Sequence, residues 1–315
     1  MQYRHLGHTG LKVSEISLGS WLTYGNSTEA ATAEAIIDRA VELGINFFDT
    51  ANAYMRGTAE HIVGKALAKY PRESYVLATK VYFPMGEGPN DRGLSRKHIL
   101  EQANASLKRL DKDYVDIYYC HRYDDNAPLE ETLRALDDLV RQGKALYIGI
   151  SEWSGAQIER AMAVADRYLL DRIVVNQPQY SMLYRNIEAE VLPVSARYGV
   201  GQVVFSPLAQ GVLTGKYKSV SDLPADSRAA DPKSNQWILG VLTEENLARV
   251  EALQAVAGEM NVTLSQLALA WVLRQPGVSS ALVGASKVSQ LEDNAGASGV
   301  VIPPALMEKI EHTLR

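Results

Sequence analysis

The feature that most constrains this chain is a repeating unit: an amphipathic helical pattern, a glycine, a short apolar run, then a polar or reactive residue. Ile36, Ile37, Ala40 and Val41 share one helical face, Gly44 follows where a helix cap would sit, and Ile45-Asn-Phe-Phe runs up to Asp49. Leu129, Leu133, Leu136 and Val140 repeat the stripe before Gly143, Ala145-Leu-Tyr-Ile and Ser151. Runs of this kind predict eight strands, near 16–18, 46–48, 75–79, 115–118, 145–148, 173–175, 202–205 and 280–283. Near-continuous apolar strands have both faces covered, as in a parallel sheet with crossover helices. Eight such units close a (β/α)8 TIM barrel. The alternative, an open doubly wound sheet, expects G-x-G-x-x-G after an early strand, and the chain has none.

Two segments lie outside the repeat. Tyr3–Leu6 and Leu11–Val13 read as an N-terminal β-hairpin (1–13) placed before the first barrel strand. Between the seventh and eighth strands, about 206–279 is too long for one loop and one helix; it holds a Pro/Ser/Asp-rich stretch and helical patterns at about 243–259 and 263–274. Such an excursion after a barrel strand often carries function. No linker divides the chain, so 1–315 reads as a single domain. With 32 basic against 37 acidic residues, the formal charge of −5 leaves no footprint for nucleic acid or an anionic membrane. No segment approaches the roughly 18 apolar residues of a membrane span, and the start lacks the apolar stretch of a signal peptide. Cys120 is the one cysteine, which excludes an intramolecular disulfide framework. A soluble, cytoplasmic protein is the expectation.

In a barrel the active site lies at the C-terminal ends of the strands. The ends of strands two, three and four are Asp49, Lys80 and His121, and Tyr54 lies just after Asp49. Each alone has an ordinary reading: a helix cap, a solvated charge, a rim tyrosine, a satisfied histidine. Converging at one mouth, they suit proton donation to a carbonyl. A lysine ammonium beside the tyrosine favours phenolate, an aspartate holds the lysine, and a neutral histidine orients the oxygen. No side chain supplies hydride, so a nicotinamide or flavin cofactor would.

A metal site fits poorly, because the chain has neither H-x-H nor H-E-x-x-H spacing. A two-carboxylate glycosidase would need an acid pair that nothing singles out. Val283-Gly-Ala-Ser-Lys ends the eighth strand where barrels bind phosphate; Gly284 permits close backbone approach, and Ser286 and Lys287 suit an anion. Lys216 and Arg228 in the excursion add positive charge. Trp21, Tyr54, Tyr82 and Phe83 follow strand ends, and Trp237 sits in the excursion, which predicts an aromatic substrate pocket.

Gly44-Ile-Asn-Phe-Phe-Asp-Thr-Ala-Asn-Ala-Tyr resembles the G-x-N-x-x-D-T-A-x-x-Y signature of the aldo-keto reductases. Gly93-Leu-Ser-Arg-Lys-His-Ile, Ser106-Leu-Lys-Arg-Leu-Asp, Ser206-Pro-Leu-Ala-Gln-Gly and Gly284-Ala-Ser resemble further family segments, in order from about Tyr3 to Asn294. Gly211-Val-Leu-Thr-Gly-Lys-Tyr and Gly277-Val-Ser-Ser-Ala-Leu-Val-Gly-Ala-Ser are similar to the branch containing potassium-channel β-subunits and their bacterial relatives.

The resemblance implies a catalytic tetrad at Asp49, Tyr54, Lys80 and His121, with Tyr54 as proton donor and Lys80 and Asp49 lowering its pKa. Channel subunits carry asparagine at the His121 position, which tilts this chain towards enzyme. It further implies NADPH (NADP+) and no metal. Ser151 and Gln177 would hold the nicotinamide carboxamide, with Phe205 stacked on the ring, Trp21 nearby, and Glu152 standing where many members have Asn. Ser206, Leu208, Gly211, Lys216 and Arg228 would line the diphosphate, with 211–228 as a cover. Gly284, Ser286, Lys287, Gln290 and Asn294 would meet the adenosine end, the preference for NADPH resting on Lys287. Trp21, Tyr82, Phe83 and Trp237 would face a small aldehyde or ketone. The mouth suggests neutral substrates, with Arg122 the one exception. A homo-oligomer follows by analogy with the branch. The leading function is NADPH-dependent reduction of aldehydes or ketones; the alternative is a cofactor-sensing, β-subunit-like regulatory or docking protein with slow reductase activity.

Overall fold

The computed structural model describes the chain from Met1 to Arg315 apart from Leu22, Thr23, residues 25–28, Asp226, Lys233 and Ser234. Strands β1 (Tyr3–His5) and β2 (Lys12–Ser14) pair antiparallel as the predicted hairpin. Then come β3 (Ile16–Gly19), β4 (Phe47–Asp49), β5 (Val76–Val81) and β6 (Val115–Cys120). β7 (Ala145–Ser151), β8 (Ile173–Gln177), β9 (Gly201–Phe205) and β10 (Val278–Val283) complete the set. These eight are parallel and close in the order β10-β3-β4-β5-β6-β7-β8-β9. The expected (β/α)8 barrel is therefore present.

Among the described residues, ten helices surround it. They are α1 (Ala30–Glu42), α2 (Thr58–Leu67), α3 (Arg96–Leu110), α4 (Leu129–Arg141), α5 (Gly155–Tyr168), α6 (Val191–Tyr198), α7 (Glu244–Glu259), α8 (Leu264–Leu273), α9 (Val288–Ala295) and α10 (Pro304–Thr313). Four start where a Ser or Thr side chain, on Ser95, Ser154, Thr243 or Thr263, accepts a backbone N–H three residues on. The helical patterns in the excursion are α7 and α8, and α8 packs beneath β10 as part of the outer ring. α10, a C-terminal helix that the repeat did not announce, packs on α7. No single described helix is long and apolar enough to cross a membrane, and α8, the most apolar, is buried.

The strand pleat decides what enters the lumen. Side chains alternate, so Phe48, Leu77, Tyr118 and Cys120 pack outward under the helices. Phe47, Val76, Ala78, Ile117, Tyr119, Val175 and Val203 fill the interior. Two positions on from Phe47, Ala78, Tyr119, Val175 and Val203 stand Asp49, Lys80, His121, Gln177 and Phe205. The same alternation that builds the apolar interior thus aims these five side chains inward at its open end.

The other end is sealed. Leu6 and Val13 of the hairpin join the interior cluster. Gly7 has φ +55°, and a Cβ there would lie 2.4 Å from the Gly199 carbonyl oxygen, 2.6 Å from the Gly201 nitrogen and 2.8 Å from the Val174 carbonyl oxygen. Only glycine lets the hairpin sit that close to the barrel floor.

Candidate active site

Asp49 ends β4, Lys80 lies near the end of β5, His121 directly follows β6, and Tyr54 opens a 3-10 turn (Tyr54–Gly57) before α2. The structure brings the four together. Lys80 Nζ donates to Asp49 Oδ1 and, at 2.9 Å, to the Thr50 carbonyl. It lies 3.4 Å from Tyr54 Oη, which is 3.5 Å from His121 Nε2. Gln177 Nε2 donates to the second Asp49 oxygen, Oδ2, at 2.9 Å, and Ser151 Oγ donates to the Gln177 carbonyl at 2.8 Å. Gln177 therefore fixes the Asp49 carboxylate, a job that strand-end reasoning did not suggest.

The turn carrying Tyr54 is strained. Met55, Arg56 and Gly57 have φ of 48°, 50° and 92°, and left-handed non-glycine residues cost about 1–3 kcal/mol each. What holds the turn is a buried ion pair. Glu60, in the first turn of α2, accepts from Thr79 Oγ1 and from Arg109 Nε, both at 2.5 Å. Thr79 is the neighbour of Lys80, and Arg109 packs so closely on the turn that a Cβ at Gly57 would meet its Cδ at 2.5 Å. One pair thus ties the strand of Lys80 to the turn of Tyr54. Its α3 half, Ser106 and Arg109, comes from the Ser106-Leu-Lys-Arg-Leu-Asp segment, to which the sequence alone assigns no role.

Electrostatics follow from burial. Burial pushes the Asp49 carboxyl up and the Lys80 ammonium down, each opposed by the charge of the other. Tyr54 stands well above the usual phenol, first through burial and then through the Asp49 charge, with Arg122 acting the other way. This corrects the expected lowering of the tyrosine pKa: burial and the Asp49 charge outweigh the Arg122 guanidinium, and the resting phenol is neutral. Lys80 Nζ, held by Asp49, faces the Tyr54 hydroxyl. His121 is pushed well below 6.5 by burial, then by the Lys80 and Arg122 charges, so its ring is neutral at physiological pH. Its Nδ1 is buried without a hydrogen-bond partner.

Beside the tetrad, the loop after β9 forms a concave backbone. Ser206, Ala209, Gln210 and Gly211 have φ of 53°, 48°, 59° and 97°. Left-handed residues of this kind turn amides to one side, as in anion-binding nests. Gln210 bridges it, donating to Ser206 Oγ at 2.5 Å and accepting from Arg228 Nη1. Arg228 is partly buried, which pushes its guanidinium below the usual value. Lys216 lies over the Tyr217 ring, 5.0 Å from its centroid and next to Gly211. Asp226, inside the expected 211–228 cover, lies outside the described residues. After β10, Ser286 donates through N and Oγ to Gln290 Oε1 at 2.9 and 3.2 Å, Lys287 immediately precedes α9, and Asn294 is buried on it. The two loops present amides, hydroxyls and cations, a set suited to an anionic dinucleotide. Gln210 was missed; its signal was only its place inside Ser206-Pro-Leu-Ala-Gln-Gly. Glu152 has φ 60° and its carboxylate accepts from the Gln179 N–H at 2.6 Å, so its side chain is engaged with its own loop.

Aromatic side chains gather at the mouth. Phe83 meets the His121 ring edge-on at 4.8 Å between centroids and Tyr82 at 5.3 Å. Trp21 and Trp237, far apart in sequence, meet edge-on at 5.2 Å, which brings the excursion over the end of β3. Arg122 lies over Phe83 at 5.6 Å and donates to the His121 carbonyl at 2.6 Å.

A strand-end Asp–Lys–Tyr–His cluster in a parallel barrel can be placed among known proteins. The sequence profile of the Aldo/keto reductase family matches residues 15–315. The chain belongs to the aldo/keto reductase family. Among its relatives are a probable voltage-gated potassium channel subunit beta of Arabidopsis thaliana, 44% identical over 320 residues (100% of this chain, 97% of the relative), and one of Oryza sativa subsp. japonica, 44% identical over 316 residues (99% and 96%). A putative voltage-gated potassium channel subunit beta of Schizosaccharomyces pombe is 43% identical over 323 residues (99% and 93%). The resemblance to the channel-subunit branch thus holds along the full chain. Membership of the aldo/keto reductase family carries oxidoreductase activity in general.

Proposed function

We propose that this aldo/keto reductase is an NADPH-dependent carbonyl reductase of the cytoplasm, converting aldehydes or ketones to alcohols. The observation that carries the reading is the Asp49–Lys80–Tyr54–His121 cluster, in which one phenol hydroxyl lies within reach of both a cation and a neutral imidazole. A nicotinamide held there would supply hydride chemistry that no side chain provides. Tyr54 gives its proton to the carbonyl oxygen, while Lys80, steadied by Asp49, stabilises the phenolate left behind. His121 orients the oxygen from the other side. Ser206, Gln210, Gly211, Lys216 and Arg228 would hold the diphosphate, and Gly284 to Asn294 the adenosine end, Lys287 giving the preference for a 2′-phosphate. Ser151, the free part of the Gln177 carboxamide, Phe205 and Trp21 would seat the nicotinamide.

The test is titration with NADPH and NADH by protein fluorescence, followed by nicotinamide absorbance after adding 4-nitrobenzaldehyde. Tighter binding of NADPH and its oxidation are expected; absence of either overturns the reading. A second reading, a cofactor-dependent docking subunit, is favoured by the relatives' names. It predicts cofactor binding without steady turnover across a carbonyl panel.

A further inference from the structure

The half-buried arginines of this chain are consistently paired. Arg4, Arg39, Arg72, Arg109, Arg185, Arg249 and Arg274 each hold a carboxylate, and Arg228 holds the Gln210 carboxamide oxygen. Arg122 is equally half-buried and pairs with no carboxylate among the described residues. Its Nη1 donates to the His121 carbonyl and its plane lies over Phe83, which fixes the side chain at the mouth. Neither Nε nor Nη2 has a hydrogen-bond partner among the described residues, and neither is sealed from water.

That leaves the Nε/Nη2 edge, two parallel donors with the spacing of the two oxygens of a carboxylate. The Phe83 ring adjoins both groups, its centroid 5.6 Å from the Arg122 guanidinium carbon and 4.8 Å from the centroid of the His121 ring that lies beside Tyr54. We infer that Arg122 binds the carboxylate of the substrate, and that the preferred substrates are aldehydes carrying a carboxylate several bonds from the carbonyl, across an apolar or aromatic spacer. The Phe83 ring would pack on the spacer. The aromatic mouth suggests neutral substrates with Arg122 as the exception, and the fixed pose and unclaimed edge of Arg122 point to an acidic one. The inference rests on the carbonyl-reductase reading.

Steady-state kinetics with saturating NADPH separate the two. The substrates are 4-carboxybenzaldehyde and its methyl ester, which share the reacting group and differ in the charge at the far end. The parent should prefer the acid in kcat/KM. Arg122→Gln should lower the acid-to-ester ratio by about 10- to 100-fold, the range of a hydrogen-bonded charge, mainly through KM for the acid. Arg122→Lys, which keeps the charge and loses the paired donors, should fall between. As a readout besides turnover, terephthalate should bind the parent–NADP+ complex more tightly than the Arg122→Gln complex by calorimetry. Ester turnover with no preference for the acid, or a ratio unmoved by Arg122→Gln, overturns this inference and leaves the reductase reading standing. No turnover of either substrate or of 4-nitrobenzaldehyde overturns both.

Discussion

The two ends of the barrel are made from the same strands and solve opposite problems. At the N-terminal end, Leu6 and Val13 continue the apolar interior, and Gly7 lets backbone meet backbone. At the C-terminal end the pleat continues unchanged, but Asp49, Lys80, His121 and Gln177 replace apolar residues in the lumen. Burying such groups costs stability unless each is bonded, and here they bond mainly to one another. The difference teaches where this chain is built to be tight and where it is built to be reactive: closing the floor frees the mouth to carry charge.

The sharpest way to separate the ends is Tyr54→Phe. Turnover should fall by about 10²–10⁴-fold with NADPH affinity kept, because the ring stays and the transferable proton goes. Parental aldehyde reduction by the variant would remove Tyr54 as donor. Arg109→Met tests the link between tetrad and scaffold. It strands the fully buried Glu60 carboxylate, for an expected loss of about 3–5 kcal/mol in denaturant unfolding. Because the pair also spans Thr79 and the Tyr54 turn, kcat of the remaining folded enzyme should drop as well; an unchanged kcat would reduce the pair to scaffold only.

Gly7→Ala probes the floor. The left-handed backbone alone penalises a Cβ by about 1–2 kcal/mol, and three backbone atoms must also give way. Thermal stability should fall while kcat per folded molecule holds, the opposite pattern to Tyr54→Phe. The smallest effect is a pH slope. His121 in the folded protein titrates well below 6.5, so under acid conditions the unfolded chain takes a proton that the folded chain refuses. Stability from this group is therefore present above pH 6.5 and lost as pH falls, by up to about 1.4 kcal/mol per pH unit. His121→Gln should flatten that acid limb in pH-dependent urea titrations; identical slopes would show that His121 is not the group responsible.

Much of this was legible in the residues, and the reason is periodicity. Strands covered on both faces show as apolar runs, so all eight were found, with ends shifted by a few residues, as where β6 continues to Cys120 and β7 to Ser151. Asp49, Lys80 and His121 were visible because each interrupts an apolar run at its end. What stayed hidden were pairings between side chains distant in sequence. Glu60 with Arg109, Gln177 with Asp49, and Gln210 with Arg228 leave no spacing signal, since no fixed sequence interval links the two members of a pair. The direction of the Tyr54 shift was misjudged for a related reason: proximity of a cation can be guessed from strand ends, whereas the depth of burial that outweighs it depends on packing.

The contact between Trp21 and Trp237 gives the molecule an optical property. Two indoles edge-on at 5.2 Å form a coupled chromophore, and one member rides on the excursion while the other is anchored beside β3. Any displacement of the 235–237 turn changes their coupling and with it the near-ultraviolet circular dichroism. The chain thus carries a label-free gauge of whether its mouth is covered, readable in the same cuvette as the nicotinamide band.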